Sequence, residues 1–368
     1  MENKQSEVVM ESNQLKETTR KLISDRFSHL TKLPENYIRA SGERPRLHEV
    51  VNVCTSIPVV DMKGWWSNNS STTSRSQVVN DIGRACQEYG FFQIINHDIP
   101  DSLSKKMLEV AAEFFEMPIE DRIQWYSDDP SQTTRVSSSF NITKEGVLNW
   151  RDYLRHYCYP LEDYVHTWPS NPSNYREVAS EYCREVRSLV LRLLEAISES
   201  LGLETDFLNK AIGSHGQHMC LNYYPKCPDP ELTYGLPPHS DPTVLTVLLQ
   251  DGVPGLQIFK NGQWIAVNAV PNSFVVNVGD QIEVISNGKY KSVVHRAVVN
   301  SNEARISIPT FYFPSEDATI EPAPALVDFE PALFRSFKYK EYYSKFWSKE
   351  LEGKSCLGFF KHNDSPPI

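Results

Sequence analysis

Short apolar runs separated by turn residues dominate the C-terminal half of the chain. They occupy positions 218–224, 243–249, 256–259, 264–267, 274–278, 281–285, 290–299 and 304–313. Asn261-Gly262 between two of the runs is typical of a tight hairpin turn. Many short strands with Gly, Asn and Pro turns predict a closed or double-sheet β architecture.

The N-terminal half shows a different periodicity. Apolar residues recur every three or four positions in three segments, which predicts amphipathic helices over 14–30, 101–117 and 175–201. Gly202 suits the end of the last of these helices. Further elements are predicted as strands at 57–61 and 90–97, and as helices at 76–89 and 337–351. The whole pattern predicts an α+β fold in which helices flank a β core.

We expect four segments along the chain. They are an N-terminal helix and connector at 1–55, a mostly helical region at 56–210, a β core at 211–318, and a C-terminal helix and tail at 319–368. The least patterned stretch, 127–149, is predicted to be loop.

Composition narrows the class of partner. The chain has 368 residues, of which 40% are hydrophobic and 23% charged, and its net charge is −10 without a basic block, which argues against nucleic-acid binding. Seven scattered cysteines without a Cys-x-x-Cys pair favour free thiols. No apolar run approaches the roughly 18 residues that span a bilayer, and the first residues lack a signal-peptide core. We expect a cytoplasmic monomer that acts on a small molecule, without membrane association.

His239 and Asp241 are two residues apart, so on an extended backbone both side chains point to one face. His295, in a separate β-rich run, is the candidate third ligand of a metal. Two imidazoles and a carboxylate suit Fe(II) with open positions better than structural zinc. The alternative is that His239 is a loop residue and His295 a packed core histidine. His215 and His218 lack an acidic partner at strand spacing, so we interpret both as structural.

A second constellation follows on the next predicted strand. Arg305 and Ser307 share one strand face, and a guanidinium with a hydroxyl forms a good receptor for a buried carboxylate. Upstream, Asn222 and Tyr224 offer an amide and a hydroxyl to the same cavity. The alternatives are an ordinary strand with an exposed Arg305, and strand packing for the upstream pair.

In this order, His239-Ser-Asp241, His295 and Arg305-Ile-Ser307 resemble the signature of plant-type 2-oxoglutarate- and Fe(II)-dependent dioxygenases. The resemblance covers roughly positions 50 to 350 and includes Asn222-Tyr-Tyr-Pro and Gly262-Gln-Trp. It implies a double-stranded β-helix, or jelly roll, as the core at 211–318. Ser240 stands where the family more often has Thr, and strand parity points it away from the metal.

The resemblance also implies the chemistry. Fe(II) would be held by His239, Asp241 and His295, and 2-oxoglutarate would place its distal carboxylate on Arg305 and Ser307, with Tyr224 and Asn222 assisting. O2 is the oxidant, succinate and CO2 are released, and ascorbate is an expected supporting reductant. The three metal ligands are therefore the predicted catalytic residues.

For the substrate, Phe140, Asn141 and Trp150 are predicted to line the pocket, because the matching region of the family covers the barrel mouth. Phe311 and Phe313 share the strand parity of Arg305 and join the prediction. The alternatives are a structural loop with Trp150 in the core, and a phenylalanine pair in the core.

The run from Phe140 through Asn149-Trp-Arg-Asp-Tyr-Leu-Arg resembles downy-mildew-resistance-type oxygenases in particular. That likeness implies hydroxylation or desaturation of a phenolic such as salicylate or a flavanone. Coumarins, alkaloids and terpenoids remain alternative substrates. A non-catalytic metal-binding barrel, or an oxidase that needs no 2-oxoglutarate, remains an alternative activity.

Overall fold

The computed structural model describes residues 22–26, 30–52, 57–66, 72–142, 144–328, 330–348 and 356–362. Within them the strands are β1 Val59–Asp61, β2 Phe91–Ile95, β3 Thr134–Ser138, β4 Asp152–Tyr159, β5 Gly216–Tyr224, β6 Leu236–His239, β7 Leu245–Gln250, β8 Leu256–Lys260, β9 Gln263–Ala266, β10 Phe274–Val278, β11 His295–Ala297, β12 Arg305–Phe313, β13 Thr319–Ile320 and β14 Phe337–Lys338. The α-helices are α1 Ile23–Arg26, α2 Lys63–Trp66, α3 Thr72–Glu88, α4 Asp101–Glu116, α5 Ile119–Arg122, α6 Leu161–Tyr164, α7 Tyr175–Ser200, α8 Phe207–Ala211, α9 Asp280–Ile285, α10 Pro324–Val327 and α11 Tyr339–Trp347.

Two sheets form the β core. The larger has the strand order β1-β2-β10-β7-β12-β5-β4-β3, and the smaller has the order β6-β11-β8-β9. Apart from the parallel pair β1–β2, the strand pairs in these two sheets are antiparallel. With the flanking helices this confirms the predicted α+β class and the jelly-roll core.

The long helix α7 supports the larger sheet and explains its own sequence pattern. Its apolar residues at intervals of three and four are buried in one core together with residues of α3, α4, β7 and β10. The chain leaves the helix at Gly202 with φ +76°, a left-handed conformation that glycine adopts without a steric penalty. The helix therefore ends at the residue that the sequence indicated.

The hairpin β8–β9 also follows its sequence. Asn261 and Gly262 both have positive φ, as a type I′ turn requires, and Lys260 pairs with Gln263 on either side of them. The helix predicted over 14–30 falls mostly outside the described residues, which include only α1 and Leu30 from that stretch.

Three predictions of secondary structure are wrong. Residues 281–285 belong to helix α9 rather than a strand, because Gly279 starts a turn and both polar and apolar side chains of that short segment are buried. Of the run 290–299, three residues form β11, and a register shift interrupts the pairing there. Residues 134–138, expected to be loop, form β3 beside the unforeseen β4.

The remaining sequence expectations concern thiols and membranes. Six cysteines lie in the described part of the chain, and all six are buried free thiols. Across the same residues, every helix is too short or too polar to cross a lipid bilayer.

Candidate active site

Strand pairing brings the two histidines of the predicted metal site together. β6 and β11 run antiparallel with His239 directly opposite His295, and their ring centroids are 4.2 Å apart. Asp241 follows β6, and its Oδ1 lies 3.7 Å from Nε2 of His239 and 3.6 Å from Nε2 of His295. The three side chains are buried, and their ligand atoms lie within 4.8 Å of one another. This cluster could hold one metal ion.

Backbone carbonyl groups orient both imidazoles. Nδ1 of His239 donates to the carbonyl oxygen of Pro237 at 2.9 Å, and Nδ1 of His295 donates to that of Val293 at 3.2 Å. Because a carbonyl oxygen only accepts hydrogen bonds, the proton sits on Nδ1 and the lone pair of Nε2 faces the cluster. Burial, together with the neighbouring His295, lowers the pKa of His239, so its imidazole stays neutral.

The carboxylate of Asp241 is fixed in a similar way. Its Oδ2 accepts hydrogen bonds from Thr246 Oγ1 at 2.6 Å and from Asn277 Nδ2 at 2.7 Å, which leaves Oδ1 to the imidazoles. Burial opposes ionisation, but the adjacent histidines and these two donors hold the pKa of Asp241 below its ordinary value. Two neutral imidazoles and one carboxylate form the donor set that suits non-haem Fe(II), so the residues fit that metal.

Arg305 and Ser307 occupy the same cavity as the metal cluster. On β12 they lie opposite Tyr224 and Asn222 of β5, and the cavity between the two sheets has a volume of about 560 Å³. All four of these residues line the cavity, as do the three residues of the cluster. The structure therefore brings together all seven residues predicted for metal and co-substrate.

The guanidinium of Arg305 is held with donors to spare. Nε donates to the carbonyl oxygen of Val253 at 3.0 Å, and Nη2 donates to Gln250 Oε1 at 2.6 Å. Within the described residues no protein acceptor engages Nη1, and Nη2 carries a second hydrogen. Ser307 Oγ accepts a hydrogen bond from Asn222 Nδ2 at 3.3 Å and keeps its own proton to donate. A buried cation with unused donors fits the distal carboxylate of 2-oxoglutarate.

A second cavity, of about 650 Å³, adjoins the first and shares His239 and Asp241 with it. Five aromatic side chains form its walls: Phe140, Phe311, Tyr343, Phe346 and Trp347. Phe140 stacks on Trp347 with ring centroids 4.8 Å apart and planes 3° from parallel. The predictions for Phe140 and Phe311 thus fall on pocket walls, and three further walls come from α11.

The positions of the other predicted substrate residues are corrected by the structure. Trp150 is fully buried outside both cavities, where Nε1 donates to the carbonyl oxygen of Pro225 at 3.0 Å. The backbone N–H of Asn141 donates to Glu145 inside its own loop, and Asn141 lines neither cavity. Phe313 packs over Gly216, because a glycine leaves room there for the phenyl ring.

Sequence reasoning missed the polar residues of the second cavity, which are Arg135, Arg151, Tyr153, Arg155 and His218. The interpretation of His218 as a purely structural residue is therefore incomplete, since its ring faces Phe311 at 4.8 Å. Burial and the nearby Arg155 lower the pKa of His218 to about 3, so it adds no charge to the pocket. The alternation of Arg151, Tyr153 and Arg155 was a usable signal, because a strand at 152–159 places them on one face.

Comparison with known proteins agrees with this geometry. The 2OG-Fe(II) oxygenase superfamily model matches residues 215–314, and the model of the non-haem dioxygenase in morphine synthesis N-terminal region matches residues 57–174. The fold and site define an oxygenase of the 2OG-Fe(II) superfamily, and the chain belongs to that family.

Individual relatives are similar over nearly their whole length. Protein DMR6-LIKE OXYGENASE 1 of Arabidopsis thaliana is 54% identical over 92% of this chain and 96% of its own length. Flavanone 3-dioxygenase 2 of Oryza sativa subsp. japonica is 49% identical over 89% of this chain and 94% of its own. A crystal structure of JOX2 in complex with 2OG, Fe and JA superposes with a TM-score of 0.82 at 36% identity, covering 91% of this chain and 96% of JOX2. The chain is a 2-oxoglutarate-dependent dioxygenase that uses Fe(II) and 2-oxoglutarate.

Proposed function

We propose that His239, Asp241 and His295 hold Fe(II), and that Arg305 and Ser307 anchor the distal carboxylate of 2-oxoglutarate. The convergence of two neutral imidazoles and one carboxylate on a single point supports the first assignment. The unused donors of Arg305 support the second. Asn222 positions the Ser307 hydroxyl, and the guanidinium of Arg305 lies 5.3 Å from the ring centroid of Tyr224.

Bound Fe(II) and 2-oxoglutarate supply O2 activation, with release of succinate and CO2 as one oxygen atom passes to the substrate. The chain contributes placement. Thr246 and Asn277 keep one oxygen of Asp241 away from the metal position, so that the other faces it. The carbonyl groups behind His239 and His295 prevent either ring from turning its Nδ1 toward the metal.

The prime substrate is a small phenolic, and salicylate is the first candidate. The observation that carries this proposal is the aromatic cavity, which opens onto His239 and Asp241 from the side opposite Arg305. Parallel rings at Phe140 and Trp347 form one wall, and Phe311 reaches both cavities. A flat ring between such walls exposes its edge to the metal position.

A flavanone is the second candidate. The relative from Oryza sativa, named as a flavanone 3-dioxygenase, favours it, and the cavity of about 650 Å³ lies within the usual range for a ligand of that size. The two candidates differ in charge, since salicylate carries a carboxylate and a flavanone is neutral at pH 7.

The test is to incubate the purified chain with Fe(II), 2-oxoglutarate, ascorbate and O2, together with salicylate or a flavanone. Succinate and organic product are quantified by mass spectrometry. Gain of one oxygen atom reports hydroxylation, and loss of two hydrogen atoms reports desaturation. Omission of 2-oxoglutarate must abolish the product. Succinate release that neither phenolic stimulates, without a phenolic product, would contradict the proposed substrate class.

A further inference from the structure

Three arginines are buried in the second cavity, which we name the arginine group: Arg135, Arg151 and Arg155. Their exposed fractions are 3%, 5% and 6%. Arg135 on β3 lies directly opposite Arg155 on β4, a register that places two like charges side by side. Tyr153 lies between members of the group, with its ring centroid 5.3 Å from the guanidinium of Arg135 and 4.5 Å from that of Arg151. A buried cluster of three positive charges is costly unless something balances it.

The described part of the protein supplies no carboxylate in an ion pair with this group. Arg151 donates to the carbonyl oxygen of Ser139 through Nε and Nη2, and to Asn222 Oδ1 through Nη1 at 3.2 Å. Arg155 donates through Nη2 to the carbonyl oxygens of Pro130 and Gln132. These acceptors are neutral, so the formal charge of the group remains uncompensated.

Two members of the group also have hydrogen-bond donors in reserve. The Nε atoms of Arg135 and Arg155 are buried and have no acceptor among the described residues. Arg135 donates through Nη2 to the hydroxyl of Tyr153, a neutral partner. Arg151, by contrast, has a partner on each of its three nitrogens. The two residues with unused donors are the ones on paired strand positions, and both line the second cavity.

We propose that Arg135 and Arg155 bind a carboxylate of the prime substrate, and that the substrate class is therefore small aromatic carboxylic acids. This inference rests on the proposed function, in which the aromatic cavity receives the substrate. Arg305 already serves the acidic co-substrate in the first cavity, so a second anion site in the adjoining cavity points to a second acid. With its carboxylate on the arginine group, the ring lies between the aromatic walls and faces His239 and Asp241.

The test separates charge from ring. The chain is loaded with Mn(II) and 2-oxoglutarate without O2, and binding is measured by calorimetry for four probes. The probes are salicylic acid, salicylamide, cyclohexanecarboxylic acid and cyclohexanecarboxamide. We expect salicylic acid to bind at least about 30-fold more tightly than salicylamide, since a charge-assisted pair with arginine is lost in the amide.

Variants locate the effect. Arg155→Gln and Arg135→Gln should each reduce the preference for the acid over the amide by about tenfold or more, while the affinity for 2-oxoglutarate stays within about twofold. Arg155→Lys keeps the charge and should retain an intermediate preference. Arg192→Gln is the matched control, because its guanidinium lies over Trp66 outside both cavities and its removal should leave all ratios unchanged.

Each outcome decides one of the two claims. Equal binding of salicylic acid and salicylamide would overturn the carboxylate site and leave the aromatic substrate intact. Preference for both acids regardless of ring would keep the site and contradict the aromatic part of the proposed function. Binding of none of the four probes overturns both. A fall in 2-oxoglutarate affinity equal to that for salicylic acid would assign these arginines to the co-substrate and overturn the inference. If a glutamine variant does not fold, the acid-to-amide ratio of the unmodified chain still decides the question.

Discussion

Replacement of Arg305 by alanine tests the co-substrate assignment most directly. Each Nη nitrogen of the guanidinium keeps a hydrogen for a ligand carboxylate after the bond to Gln250 is counted. A hydrogen bond to a charged group is worth about 1.5–3 kcal/mol, so two bonds give about 3–6 kcal/mol. At 1.4 kcal/mol per factor of ten, Arg305→Ala should raise the KM for 2-oxoglutarate by about 10²- to 10⁴-fold. The metal affinity should stay within about twofold, because the guanidinium makes no contact with the cluster.

The assay is succinate release as a function of 2-oxoglutarate concentration, with Mn(II) affinity measured separately by calorimetry. Arg305→Lys is the matched variant, since it keeps the charge but loses the planar fork, and its KM should fall between the other two. The alanine variant also leaves the carbonyl oxygen of Val253 and Gln250 Oε1 without their donor, so its melting temperature must be recorded. A folded alanine variant whose KM rises by less than about threefold would refute the reasoning.

Three further predictions concern the metal, the acid stability and the C-terminal helix. Thr246→Val removes the donor 2.6 Å from Asp241 Oδ2 and should weaken Fe(II) or Mn(II) binding by about 10- to 100-fold in calorimetry. Burial lowers the pKa of His156 to about 3, whereas the unfolded chain protonates near pH 6.5, so stability is present above pH 6.5 and falls with acid. His156→Gln should reduce the loss in unfolding free energy between pH 7 and pH 5 by about 2 kcal/mol in urea titrations. Tyr342→Phe removes a donor to the buried Asp280 and should lower the unfolding free energy by about 1–3 kcal/mol.

Each of these variants has a matched control in the chain. Thr233→Val alters a buried hydroxyl that has no hydrogen-bond partner and should leave metal binding unchanged. His166 is exposed, so His166→Gln should retain the parental acid response. Tyr339→Phe alters a buried phenol without a hydrogen-bond partner on the same helix as Tyr342 and should cost less stability. A control that matches its test variant would contradict the corresponding explanation.

The metal cluster could be predicted because it depends on strand geometry alone. The i, i+2 spacing of His239 and Asp241 requires only that the chain be extended locally, and the same parity directs Ser240 to Asp280 on the far side. His295 could be nominated by its residue type and its β-rich surroundings. Its register opposite His239 could not be derived, since the pairing of distant strands depends on the whole sheet.

The substrate cavity was harder to predict because its walls come from segments far apart in the sequence. Trp150 was chosen as a wall residue for its large ring, but its neighbour Arg151 faces the cavity instead. Without β3 and β4 in the predicted fold, the arginine group had no common face. The error at 281–285 has a related cause, since a short apolar run fits a buried helix as well as a strand.

The aromatic wall on α11 lies beyond both stretches that match the family models, which end at residues 174 and 314. Tyr343, Phe346 and Trp347 therefore belong to a short exchangeable segment, while the iron donors belong to the shared barrel. Mutations in one helical turn can reshape ring recognition without disturbing oxygen chemistry. A single scaffold of this kind can acquire new metabolites as substrates through small changes near its C-terminus.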